Sequence, residues 1–147
     1  MSTRILFWSY VLRFFGVCNI LFALIGIAFN VYSFFQSSEP PLDNKTSTAY
    51  FVMSYICIAF YILLAIAGVQ LIRLRYIWAY YTPIIFAAEI LYFMVIVGLW
   101  GHPTWGDSIG GATGIANGGL SIQYLTLYPI WASCVLLFTA YRLRTPE

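Results

Sequence analysis

Charge is what this chain has least of. Only 8 % of its 147 residues are Asp, Glu, Lys or Arg, with a single lysine, Lys45, and a single histidine, His102. A helical core of this size in water needs a polar outer face on every helix, and so few charges cannot supply them. His102 stands between Gly101 and Pro103 with no cysteine or acidic cluster beside it; a zinc centre needs three or four ligands, so no metal site is expected. Cys18, Cys57 and Cys134 form no C-x-x-C pair and fall within apolar runs. They are read as small packing residues, without a disulfide framework. No nucleophile is paired with a base, and the glycine-rich stretch near residue 110 lacks the Lys-Ser/Thr of a phosphate loop and a preceding strand. No enzyme and no cofactor are expected.

What fills the chain is apolar: 62 % of its residues are hydrophobic and 20 % aromatic. Four long apolar runs stand out, at about 14–35, 50–72, 78–100 and 119–141. A hydrocarbon core about 30 Å thick takes roughly 20 helical residues to cross, so each run is long enough. Barrel strands would be about half as long and would alternate in polarity, which these do not. The first run also exceeds the roughly 7–15 apolar residues of a secretory signal and is expected to remain as a span. The sequence predicts an all-α integral membrane protein, one domain over 1–147, its four transmembrane helices in an antiparallel bundle.

The few charges sort by side. Arg4, Arg13, Arg73, Arg75, Arg142 and Arg144 lie before run one, between runs two and three, and after run four. Four crossings put those segments on one side and Lys45, the only lysine, on the other. Positive short loops stay cytoplasmic, which places both termini there. The expected location is the inner (plasma) membrane of a bacterium, as a multi-pass protein with the lipid bilayer as its first partner. The net charge of +2 thereby reads as topology, and no nucleic-acid partner is expected.

Two outer loops follow, 36–49 and 101–118. The first holds Pro40 and Pro41 among polar residues, a helix-breaking composition. In the second, Gly110, Gly114 and Gly118 follow a G-x-x-x-G-x-x-x-G spacing. That spacing would line one face of a short close-packing helix, and the alternative is a flexible surface loop.

Within the spans, Glu89 is the outlier. It lies halfway along run three and is the only acidic residue in any run. An ionised carboxylate there costs several kcal/mol, so it should be neutral or paired inside the bundle. Tyr61, central in run two, can donate at a similar depth, and Pro129, read as central in run four, would free a carbonyl one turn earlier. Asn19 completes a candidate intramembrane polar site with Glu89, Tyr61 and Pro129. Asn19 also belongs to a stripe in run one, Gly16, Asn19, Ala23, Gly26 and Asn30, at spacings of 3, 4, 3 and 4. Small and polar residues so spaced make a helix-packing seam.

These readings lead to a non-enzymatic expectation. The chain would be an accessory or scaffolding subunit packing against other membrane subunits, lipids or apolar cofactors, or forming a homo-oligomer. The alternative is a proton-coupled or small-molecule carrier using Glu89 at the bilayer midplane.

Overall fold

A computed structural model describes residues 3–36, 44–100 and 127–144. Four α-helices account for nearly all of them: α1 (Thr3–Gln36), α2 (Asn44–Ile72), α3 (Trp78–Trp100) and α4 (Tyr128–Arg144). Two of the helices contain stretches long and apolar enough to cross a membrane, Leu6–Tyr32 in α1 and Tyr55–Ile72 in α2. Each helix packs against two others, in the cycle α1, α2, α3, α4 and back to α1, and the α1–α2 contact is the most extensive.

The direction of each helix follows from which residues meet. Gly16 lies against Gly68 and Ile72, and Gly26 against the ring of Tyr61, so α1 and α2 run antiparallel. Trp8 stacks edge-on against Phe138, and Phe15 against Trp131, so α1 and α4 also run antiparallel. The start of α1, the α2–α3 turn and the end of α4 therefore share one end of the bundle. Arg13, Arg73, Arg75, Arg142 and Arg144 are all exposed there, and Arg4 lies in the first turn of α1.

That end is stepped. Because Gly16 lies beside Gly68 and Ile72, the first eight or so residues of α1 run past the α2–α3 turn, by about 12 Å at 1.5 Å per residue. The other side of the bundle agrees. Phe86 meets Tyr128, so α4, counted from there, outruns the start of α3 by a similar distance.

The α2–α3 turn shows how the chain reverses in five residues. The Leu74 N–H donates to the Leu71 carbonyl at 2.9 Å and the Arg75 N–H to Gln70 at 3.1 Å. This pair of bonds is a Schellman cap, with Leu74 in the left-handed position at φ 59°. Glycine usually takes that position; a leucine there accepts about 1 kcal/mol of strain or more.

Three boundaries differ from the hydropathy reading. α1 begins at Thr3, eleven residues before the apolar run, because a helix continues past Arg13 and Arg4 once nothing breaks it. α2 begins at Asn44, so residues 44–49 of the expected outer loop are helical. Of the expected span 119–141, residues 119–126 lie outside the described residues, and the helix seen covers 128–141 and continues to Arg144. Leu127 has a left-handed φ of 50° and α4 starts at Tyr128. Pro129 is consequently the second residue of α4, where its missing N–H has no helical acceptor to lose. The carbonyl one turn before Pro129, the one it was expected to free, lies outside the described residues. The proline inside a helix is Pro83 in α3, which leaves the Ala79 carbonyl without its usual donor. Gly110, Gly114 and Gly118 lie outside the described residues, as does His102.

Candidate functional site: a polar interior around Tyr128 and Glu89

The buried polar side chains are Asn19, Asn30, Thr82, Glu89 and Thr139. They lie on the same helix faces as the apolar core. On α1, Phe15, Asn19 and Ala23 follow one another inward; on α3, Ala79, Thr82, Phe86 and Glu89 do so; on α2, Cys57, Tyr61, Leu64 and Leu71. Spacings of three and four keep each set on one face.

Several of these polar groups are satisfied within their own helix. Asn30 Nδ2 donates to the Gly26 carbonyl at 2.8 Å, Thr82 Oγ1 to Trp78 at 2.8 Å and Thr139 Oγ1 to Val135 at 2.7 Å. Ser133 Oγ does the same toward Pro129. Back-bonding to the carbonyl four residues earlier lets a hydroxyl or amide sit in an apolar interior without a partner helix.

Tyr128 is different, because it ties helices together. It is 2 % exposed, and its hydroxyl donates to Asn19 Oδ1 at 2.6 Å, with the Phe15 carbonyl at 3.5 Å. Its ring packs on Phe22 at 4.6 Å, on Trp131 at 5.2 Å and edge-on to Phe86 at 5.7 Å. One side chain thus joins α1, α3 and α4. Reading the sequence did not single out Tyr128. The signal was its place directly before Pro129, since proline favours the first turn of a helix and so marks Tyr128 as the start of one.

Glu89 is 2 % exposed, and its Oε1 has no hydrogen-bond partner among the described residues. It lies one turn beyond Phe86 on the inward face of α3. The Asn19 Nδ2 is likewise buried without a partner, although its Oδ1 is bonded to Tyr128. Tyr61 is fully buried and packs its ring on Gly26. Asn19 and Pro129 both border Tyr128, at the level of Phe86. Tyr61 and Glu89 lie farther from the arginine end, on adjoining helices. Of the α1 stripe, Gly16, Asn19, Ala23, Gly26 and Asn30 are all buried.

No family model, no curated protein and no solved structure matches this chain. Among the described residues, no group of three or more His, Cys, Asp or Glu could hold a metal ion. What the arrangement offers is the Tyr128–Asn19 bond between α4 and α1, the unpaired Nδ2 of Asn19 and the unpaired Oε1 of Glu89 in an apolar surround.

Proposed function

We propose that this protein is a non-enzymatic, four-span membrane subunit with both termini on the cytoplasmic face of a bacterial inner membrane. In this reading it serves as an accessory or scaffold that packs against other membrane subunits, lipids or a second copy of itself. The observation that carries it is the inverted distribution of side chains. The carboxyl and amide groups point inward, while Phe14, Leu21, Leu24, Ile62, Leu91 and Ile130 are exposed. In water such a surface would aggregate; in a bilayer it is solvated by acyl chains. The gathering of exposed arginines at one end supports the orientation. Cysteine labels beside Arg73 and at both termini should react only from the cytoplasm, and labels at Asn44 or Asp107 only from outside. In gentle detergent the native protein should migrate in an assembly larger than its monomer. A terminus labelled from outside, or a purely monomeric native protein, rejects the reading.

One observation favours a second reading, a proton-coupled or small-molecule carrier: the unpaired Oε1 of Glu89, deep in the bundle. Glu89→Gln separates the two. For a structural carboxyl, Gln preserves size and a donor, so fold and assembly stay nearly intact, whereas Glu89→Leu costs roughly 1–3 kcal/mol. For a carrier, Gln abolishes transport with the fold unchanged, because titration is itself the function. The expected infrared signature is a protonated C=O band that persists through neutral pH. A band that titrates between about pH 5 and 8, against an ordinary glutamate near 4.3, makes the carrier the better account.

A further inference from the structure

We propose that the lipid-facing side of the α1–α4 seam is a binding site for an anionic phospholipid of the cytoplasmic leaflet, with its phosphate on Arg142 and an acyl chain along the aromatic residues below. This rests on the membrane orientation proposed above and names one lipid class that the subunit holds. Trp8 meets Phe138 and Phe15 meets Trp131, so the two helices keep one register along the seam. Phe7 packs on Trp8 and Phe14 on Phe15, at 5.0 and 5.4 Å between ring centroids. The rings thus form an upper and a lower tier, about 10 Å apart at 1.5 Å per residue. Phe7, Phe14, Trp131 and Phe138 are all exposed. Val11 and Val135, which the register puts between the tiers, are half-buried against the core. The seam therefore presents a shallow track with rings at its sides and valines deeper in, which gives a methylene chain more contacts than a smooth helix face would.

The head of this track is basic and lies at the depth of the lipid phosphates. With the α2–α3 turn at the edge of the hydrocarbon, α3, from Trp78 to Trp100, has about 33 Å to cross, against a core of about 30 Å. α1 starts at Thr3, about 12 Å beyond that edge, which leaves Trp8 about 5 Å beyond it. The headgroup layer is roughly 5–7 Å deep, so Trp8 lies within it, and Phe138 shares its level. The Arg142 backbone stands one turn higher, yet its guanidinium lies over the Phe138 ring at 5.1 Å. Helical side chains tilt toward the N-terminus, which in α4 means toward the bilayer. Stacking occupies one face of the planar group and leaves N–H edges that can grip a phosphate in pairs. Continued by one more turn, the register brings the Arg4 position of α1 level with Arg142 across the seam. Among the described residues the only acid is Glu89, deep in the bundle. An anionic headgroup neutralises the arginines, whereas a zwitterionic one brings a cation of its own among them. Arg73 and Arg75, exposed on the turn, are not stacked on any described ring.

The test places the purified full-length protein in nanodiscs of phosphatidylcholine with a minor share of phosphatidylglycerol, and reads the lipids it retains by native mass spectrometry. We expect phosphatidylglycerol to be carried well beyond its share of the bilayer. Arg142→Gln should cut that enrichment roughly fivefold, the effect of one arginine at an anionic surface. Phe138→Leu, which keeps the charge and removes the ring beneath it, should cut it by about half as much. Arg75→Gln should change it less than about twofold, although it removes the same charge. Quenching of tryptophan fluorescence by brominated phosphatidylglycerol, compared with brominated phosphatidylcholine, needs no substitution and should show the same preference. Absence of enrichment, equal quenching by the two lipids, equal losses at Arg142 and Arg75, or no loss in Phe138→Leu would each overturn the inference. All four leave the subunit reading standing, since that reading fails on a terminus labelled from outside or on a monomeric native protein.

Discussion

The two sides of the bundle are held together in opposite ways. Between α1 and α2 the helices meet where side chains are missing. A Cβ built on Gly16 would lie 2.7 Å from the Gly68 carbonyl oxygen, and one on Gly68 would lie 2.6 Å from that of Gly16. Around α4 the contact is made by an excess of side chain, as Tyr128 reaches across to α1 and α3. In the membrane setting proposed above there is no hydrophobic drive between helices, so contact there comes from close backbone approach, from filled volume or from interhelical hydrogen bonds. The α1–α2 pair relies on the first. The α4 junction relies on the other two together.

The sharpest way to break this comparison is to reverse each device. Tyr128→Ala should have the largest effect, about 3 kcal/mol lost in a detergent or bilayer unfolding assay, because it empties a site shared by three helices. The loss should be confined to the α4 side, so a disulfide engineered between α1 and α2 should still form. Gly16→Leu comes next, at about 2 kcal/mol, since its obstruction is a backbone carbonyl that moves only with the helix. Ala28→Leu, on an exposed position of the same helix, should stay within about 0.5 kcal/mol. Equal losses at Gly16 and Ala28 would remove the case for a directional α1–α2 contact. Tyr128→Phe should be mild as well, since it keeps the ring and removes only the hydroxyl that bonds Asn19. Interhelical bonds of this kind average about 0.6 kcal/mol, and a loss above about 2 kcal/mol would show that the hydroxyl, rather than the ring, holds α4.

How much of this could be read from the sequence follows from what hydropathy detects. It located α3 residue for residue, because Arg73 and Arg75 interrupt the apolar run on one side and the polar, glycine-rich sequence from Gly101 ends it on the other. The all-helical character and the four helices were equally legible. It missed the start of α1, since arginine ends an apolar run without ending a helix. It also merged α4 with the residues before it, because a single left-handed residue such as Leu127 leaves no mark on an apolar average. Pro129 was visible, but a proline read as a mid-helix kink and one read as a helix start differ only in where the helix begins. Tyr128 escaped for a related reason. Counted among 12 tyrosines, it had no pattern to set it apart, and only the fold makes it a junction.

The Gly16–Gly68 pairing carries a consequence for synthesis. Both glycines lie in the first 72 residues, so everything that contact needs has been made before α3 exists. The Tyr128 junction needs residues 15, 19, 22 and 86 already in place when residue 128 arrives. An α1–α2 hairpin that forms early and is closed by α4 last is the expected order of assembly. Ribosome-stalled chains ending shortly after α2 should already form a cysteine cross-link across α1 and α2, and a hairpin that waits for α4 would refute that order.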